Sequence, residues 1–361
     1  MRIAVLHDHL DFIGGGERVA LALAGGLDAD LYVTDLDPTL PARAGMPDVR
    51  AFEIAKVPRR PPSRQDQQMR AFEAASIPGY DLYVVSGNWA VFAAPRNRPN
   101  LWYCHTPVRV FYDLRERFLD ALPWTSRWAA RRWIESRRRR YEAAVAGVDR
   151  IVANSQNVAG RVSRYLSRES TVVHPPVDVE RYRFERIGDF WLSVNRLSHE
   201  KRIDLQVDVF RHLPRERLVI AGGAQPGARL DRAIRTLHAP PNVQFLGEID
   251  DARLRELYAT CRGLVATAVD EDFGLAPVEA MASEKAVVAV DEGGYRETVV
   301  HGTTGWLVPP DAASLARAIG DADPTRLDSM RGACRSRARS FDRSVFVAGI
   351  RALIETMQMS A

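Results

Sequence analysis

Lysine is nearly missing from this chain. Of its 50 basic residues only Lys56, Lys201 and Lys285 are lysines, and the rest are arginines. Codon usage is the plainer explanation of that bias, yet it makes each lysine worth inspecting. Cysteine is as sparse. Cys104, Cys261 and Cys334 lie far apart, in no pairing or metal-binding spacing, which points to free thiols in a reducing compartment. No apolar run approaches the roughly 20 residues that span a bilayer, and the opening Ile3-Ala4-Val5-Leu6 is too short for a leader peptide. We therefore expect a cytoplasmic protein, touching a membrane only from its surface, at the inner face of the plasma membrane. Charge of one sign is lacking as well: the net value is +4, which alone does not indicate a nucleic-acid binder. What is present, 46% hydrophobic and 27% charged residues over 361 positions, is ordinary for a soluble globular protein of two domains.

Short apolar runs alternate with helical patterns, as in α/β proteins with parallel sheets. In the first half we expect strands over 3–6, 31–34, 82–85, 101–104, 151–153 and 171–173, and helices over 17–25, 126–146 and 155–165. Residues 56–66 carry three prolines and no periodicity, and read as a loop. At His174-Pro175-Pro176-Val177-Asp178 the pattern breaks, then restarts with strands over 191–194, 218–221, 243–246, 263–266, 286–290 and 305–307. Helices are expected over 312–320, 324–339 and 343–358. The expected domains are 1–178 and 187–340, each Rossmann-like, with a helix in 341–361 returning to the first. Ligands of such sheets bind outside the strand carboxyl ends, which places the expected site in an interdomain cleft.

The most informative segment is Val269-Asp270-Glu271-Asp272-Phe273-Gly274-Leu275-Ala276-Pro277-Val278-Glu279. A strand feeds an acidic loop and then a helix whose first turn offers free N–H groups to an anion. Glu271 precedes that turn and Glu279 follows it, so phosphates at the helix and hydroxyls at the two carboxylates would fit a sugar nucleotide. Acids that merely favour the helix dipole would look the same. Upstream, Arg196 and Lys201 leave another strand end and suit a departing diphosphate. A solvated basic turn is the plainer reading.

Taken together, these residues resemble glycosyltransferase family 4, the retaining enzymes of GT-B fold, whose hallmark is two Glu residues separated by seven. Phe273-Gly274-Leu275, Gly293-Gly294, Glu297 and Gly302–Gly305 match in kind. The resemblance implies that Glu271 contacts donor-sugar hydroxyls, Glu279 the ribose, Arg196 and Lys201 the diphosphate, and Phe273, Gly274 and Leu275 the sugar and phosphates through backbone. One departure stands out. The family's Ala-Ser-Gly-Lys-Pro-Val is here Ala282-Ser283-Glu284-Lys285-Ala286-Val287, with Glu284 expected to face solvent.

In the first half, Tyr103-Cys104-His105-Thr106-Pro107-Val108-Arg109, with Asn154-Ser155 and Pro175-Pro176-Val177-Asp178, is similar to a subgroup transferring mannose from GDP-mannose in O-antigen and related glycan assembly. That similarity implies that His105 contacts the donor sugar near the reacting carbon, although a histidine after a strand is as often structural. Ser155 reads as an N-cap. In His7-Asp8-His9-Leu10-Asp11-Phe12-Ile13-Gly14-Gly15-Gly16-Glu17, the glycines allow close backbone approach, and the resemblance puts Gly15 and Gly16 beside the donor diphosphate. His7 and His9 are expected to face opposite ways, leaving no metal pair. Enzymes of this kind need no metal or other cofactor, since Arg and Lys do the charge work. The implied partners are a nucleotide-sugar donor and a glycan or lipid-linked acceptor in cell-envelope polysaccharide or glycolipid synthesis, with a UDP-sugar donor as the alternative.

Between positions 115 and 140 stand nine arginines against three acids. On a helix, Ala130, Trp133, Ile134, Tyr141 and Val145 form an apolar stripe, and Arg131, Arg132, Arg138 and Arg139 fall on another face. With Trp124 and Trp128 this suits an anionic membrane interface. It equally suits a solvated helix face. Two other classes compete. Gly14-x-Gly16 with Asp35 mimics a dinucleotide fingerprint, but Val19 replaces the third glycine and about seven residues separate strand from glycines. A nucleic-acid module would use the arginine-rich helix, but no motif for one is visible and no nucleic-acid partner is expected.

Overall fold

The computed structural model describes residues 1–58, 62–223, 234 and 236–359. It divides into two compact units, Met1–His174 with Phe346–Ala361, and Pro175–Val345. The divisions fall a few residues from the expected 178 and 340. Val177 and Val179 belong to the core of the second unit, and Arg335 donates to the carbonyls of Val179 (3.0 Å) and Tyr182 (2.8 Å). The segment after the double proline is therefore anchored rather than slack.

The first unit is built on a seven-stranded sheet. Its strands are β1 (Ile3–Leu10), β2 (Asp30–Leu36), β3 (Ala51–Ala55), β4 (Leu82–Ser86), β5 (Asn100–Cys104), β6 (Arg150–Ala153) and β7 (Thr171–Val172), ordered β3-β2-β1-β4-β5-β6-β7. Every pairing is parallel. The central strands are mostly apolar and buried because helices cover both faces, with polar residues such as His7 and Ser86 toward their carboxyl ends. Strand β3 was not expected: it is an edge strand with two exposed residues and no clean alternation. The expected loop over 56–66 ends early, since a helix occupies Ser63–Ala74; positions 59–61 of that loop lie outside the described residues. Phe346, Ile350 and Ile354 of the last helix, Arg343–Met359, sit in this unit's core, with the Phe346 ring 5.4 Å from that of Tyr103. Positions 360–361 of the expected C-terminal segment lie outside the described residues.

The second unit carries a six-stranded parallel sheet: β8 (Phe190–Val194), β9 (Arg217–Ala221), β10 (Val243–Gly247), β11 (Gly263–Ala266), β12 (Val287–Val290) and β13 (Gly305–Val308), ordered β10-β9-β8-β11-β12-β13. In both sheets the order reverses beside the first strand of the unit, and such a switch point opens a crevice at the carboxyl ends. The departure at Glu284 is accommodated in place. Its backbone keeps a left-handed φ of 58°, which costs a non-glycine residue roughly 1 kcal/mol. Its side chain is not solvent-facing as expected: it accepts from Arg331 at 2.9 Å and is half-buried.

Candidate active site

In the second unit, three loops at strand carboxyl ends are knitted together by backbone bonds. The loop after β8 donates from Asn195 N–H to Ala221 (2.9 Å) and from Leu197 N–H to Gly223 (2.8 Å). At Gly222, with φ +139°, a Cβ would lie 2.0 Å from the Asn195 carbonyl oxygen, so no other residue fits. The next turn, His199–Lys201, is tied to the loop after β11: Val269 N–H donates to Glu200 O at 2.7 Å, and Thr267 Oγ1 donates to Lys201 O at 2.9 Å. Sequence reasoning missed Gly222 and Thr267. A glycine pair directly after an apolar strand was the available signal for the first.

This scaffold brings Lys201 Nζ to 2.5 Å from Glu271 Oε2. The two cations expected to act alike therefore differ: Lys201 is already paired, whereas Arg196 is exposed and its guanidinium has no hydrogen-bond or ion-pair partner among the described residues. Glu271 also receives a hydrogen bond from the buried Tyr295, whose hydroxyl is pushed well above its ordinary pKa by burial and by that carboxylate. The acidic loop leans on Gly293, where φ is +52° and a Cβ would come within 2.5 Å of the Glu271 carbonyl oxygen. Beside it, Arg202 grips Glu292 through two bonds of 2.9 and 3.2 Å.

Helix Leu275–Ala282 begins at Gly274, with no side chain capping its first turn, so its N–H groups are left for a ligand. The Phe273 side chain is buried and packs on Phe341 with ring centroids 5.3 Å apart, leaving only its backbone to the site. One turn into the helix, Glu279 Oε2 accepts from the buried Tyr258 hydroxyl at 2.8 Å, and Oε1 has no hydrogen-bond partner among the described residues.

The first unit holds a second cluster, where β1, β4 and β5 run side by side. His7 and His9 do not face opposite ways, and that expectation is corrected. Residues two apart share a face of a strand, and both turn toward Glu17, at 3.8 Å and 3.5 Å. His9 also meets Asp11 at 3.1 Å. Burial disfavours charge on His7, but the Glu17 carboxylate outweighs it and raises the His7 pKa. Asp11 is held down at about 2: burial opposes this, and His9 and Arg64 overcome it. His105 Nε2 lies 2.9 Å from Ser86 Oγ. Burial, then the His7 charge, press its pKa down to about 3. Gly15 and Gly16 form the first turn of helix Gly15–Leu27, where Glu17 takes the Gly14 N–H at 2.9 Å.

The dinucleotide alternative fares poorly here. Strand β1 reaches Leu10, so only three residues precede Gly14, fewer than expected. However, Val19 is buried in the core, and Asp35 accepts from Val57 N–H at 3.1 Å through Oδ1 while its Oδ2 lies 3.6 Å from Arg64.

The basic region is helix Trp124–Ala146. Ile134, Tyr141 and Val145 of its apolar stripe are buried. Ser155 caps the next helix as expected, accepting from Val158 N–H at 3.0 Å. Much of the arginine charge is answered locally: Arg131 by Glu116 (2.8 Å), and Arg138 and Arg139 by Glu135 (2.9 and 3.2 Å). Arg137 donates to both Asp66 carboxylate oxygens, from Nε and Nη2. Arg132 instead stacks over Trp128 at 5.1 Å, and Trp124 and Trp128 are 82% and 70% exposed. No helix among the described residues is long and apolar enough to cross a membrane.

The second of the two parallel-sheet units thus joins Lys201 and Glu271 at its switch point, with Glu279 on the helix that follows. Comparison with known proteins gives the class, a glycosyltransferase. Residues 13–181 match Glycosyltransferase Family 4, and residues 182–340 match Glycosyl transferases group 1. The chain belongs to glycosyltransferase family 4, of GT-B fold. The human alpha-1,3/1,6-mannosyltransferase ALG2 is 28% identical over 268 residues, 65% of this chain and 62% of that protein. The chain thus spans less than two thirds of the length of this curated relative. The Rhizobium leguminosarum bv. viciae lipopolysaccharide core biosynthesis mannosyltransferase LpcC is 46% identical over 85 residues, 23% of this chain and 24% of that one. The crystal structure of Anabaena Alr3699/HepE in complex with UDP and glucose shares the fold, with a TM-score of 0.76 at 19% identity over 99% of this chain and 100% of that one.

Proposed function

We propose that the protein is a retaining hexosyltransferase that moves mannose from GDP-mannose to a glycan or lipid-linked saccharide acceptor in cell-envelope polysaccharide or glycolipid synthesis. The observation that carries this reading is the Lys201–Glu271 pair of 2.5 Å beside an uncapped helix start. An ammonium has three N–H donors. It keeps Glu271 oriented with one and has others for the diphosphate. Arg196, the backbone N–H groups of Gly15 and Gly16 and the dipole of the helix from Leu275 share the charge of the leaving group, so no metal or other cofactor is called for. Glu271 and the backbone of Phe273, Gly274 and Leu275 take the sugar. Glu279 offers its open oxygen to a ribose hydroxyl, and His105 contacts the sugar near the reacting carbon. Mannose is favoured by the names of the two mannosyltransferase relatives. HepE, which binds UDP and glucose, favours a UDP-sugar donor as the second reading.

The exposed Trp124 and Trp128, with Arg132 stacked on the latter, support contact with an anionic membrane surface on the cytoplasmic side, where a lipid-linked acceptor would be met. The donor is tested by thermal shift with GDP, UDP and ADP, followed by product formation with the matching sugar nucleotide. Stabilisation by GDP alone is expected; stabilisation by UDP alone turns the donor to a UDP-sugar, and none by any of the three overturns the reading.

A further inference from the structure

Ser86 touches two histidines at once. It is the last residue of β4 and is fully buried. Register places it beside His7 on β1 and beside Tyr103 on β5, two residues before His105. Its carbonyl lies 2.7 Å from His7 Nδ1, and its hydroxyl lies 2.9 Å from His105 Nε2. A carbonyl can only accept, so His7 carries its proton on Nδ1 and turns Nε2 toward Glu17. The His7 and His105 rings stand edge to face, 6.1 Å apart. His105 Nδ1 has no hydrogen-bond partner among the described residues.

We propose that Ser86 is a positioning residue for glycosyl transfer: its carbonyl fixes His7, its hydroxyl donates to His105 Nε2, and Nδ1–H of His105 is thereby the one group offered to the sugar. This rests on the role of His105 proposed above. The surroundings favour that arrangement. The charged and titratable groups around the pair are Asp8 and His9 from β1, Asp11 from the loop after it, Glu17 from the following helix, and Tyr103 from β5. Glu17 favours a proton on His7, and a charged His7 disfavours a second charge on His105. A neutral imidazole with one nitrogen occupied presents a single tautomer, and a fixed donor aimed at a hydroxyl loses less entropy on binding than a free ring.

The experiment combines histidine-selective ¹⁵N NMR of the full chain with GDP release from GDP-mannose in water, for the wild type, Ser86→Ala, Ser86→Thr and His105→Ala. The expected wild-type His105 signals are those of a neutral ring protonated on Nδ1. Ser86→Ala should mix the tautomers and lower kcat about tenfold or more with KM within about threefold. Ser86→Thr should restore both readouts. Wild-type His105 signals in Ser86→Ala overturn the proposal, whatever the turnover. Full turnover in Ser86→Ala while His105→Ala is inactive overturns the bridge alone. Full turnover in His105→Ala overturns the role of His105 itself.

Discussion

Lys201 Nζ stands 2.5 Å from Glu271 Oε2, joining a residue that leaves β8 to one that leaves β11. Each holds the other, so neither is independent in the site. Lys201→Ala and Glu271→Ala should each lower turnover by about 10²- to 10³-fold with the fold intact. The double variant should cost far less than the product of the two, because the partners act as one unit. Steady-state rates of all three variants check this, and near-wild-type turnover in either single variant would sink the site.

Tyr258 orients Glu279 through a bond of 2.8 Å. Glu279→Ala should raise the Kd for the nucleoside diphosphate about tenfold or more, since a carboxylate–hydroxyl bond is worth about 1.5–3 kcal/mol. Tyr258→Phe should weaken binding by a smaller factor. Calorimetric titration with GDP and UDP measures both effects.

Gly222 admits no side chain, because a Cβ would lie 2.0 Å from the Asn195 carbonyl oxygen at a φ of +139°. Gly222→Ala should destabilise the protein by about 2–4 kcal/mol and displace the loop carrying Arg196. Chemical denaturation reads the first effect and GDP affinity the second.

Lys285 is buried, with its ammonium 4.2 Å from the Phe184 ring and bonded to the Arg186 carbonyl. Burial depresses its pKa from 10.5 to about 8. Between those values the unfolded chain holds a proton that the folded chain has released, so this residue makes stability rise with pH across that window. The difference in unfolding free energy between wild type and Lys285→Met should therefore change between pH 7.5 and 10.5, in favour of the wild type as pH rises. A difference that stays flat would show that Lys285 keeps its proton.

Trp124 and Trp128 lie one helical turn apart, and Arg132 follows at the same spacing. Sedimentation with vesicles of anionic phospholipid should capture the protein at low salt and release it as salt rises. Trp124→Ala with Trp128→Ala should lose capture without loss of GDP-stimulated thermal stability. Equal capture by neutral vesicles would point to apolar insertion rather than charge.

Much of this protein was legible before any coordinates. Alternating apolar runs reveal a two-unit parallel α/β chain, because strands buried on both faces must be apolar along their length. Glu271, Glu279, Arg196 and Lys201 stand out because they follow strand ends or open a helix, and residue type with spacing is enough to mark such places. Strand β3 escaped notice because an edge strand has only one neighbour to satisfy and tolerates exposed residues such as Phe52. What tertiary structure alone decided was pairing. The sequence distance from Lys201 to Glu271 says nothing of 2.5 Å, and nothing in 115–140 shows that Arg137 belongs to Asp66 while Arg132 belongs to Trp128. Likewise, the apolar strand ending in Ser86 reads as core, and only neighbouring strands in register turn its carbonyl and hydroxyl into a bridge between two histidines. Local periodicity is set by chain geometry, whereas a hydrogen bond depends on atoms that only folding brings within 3 Å.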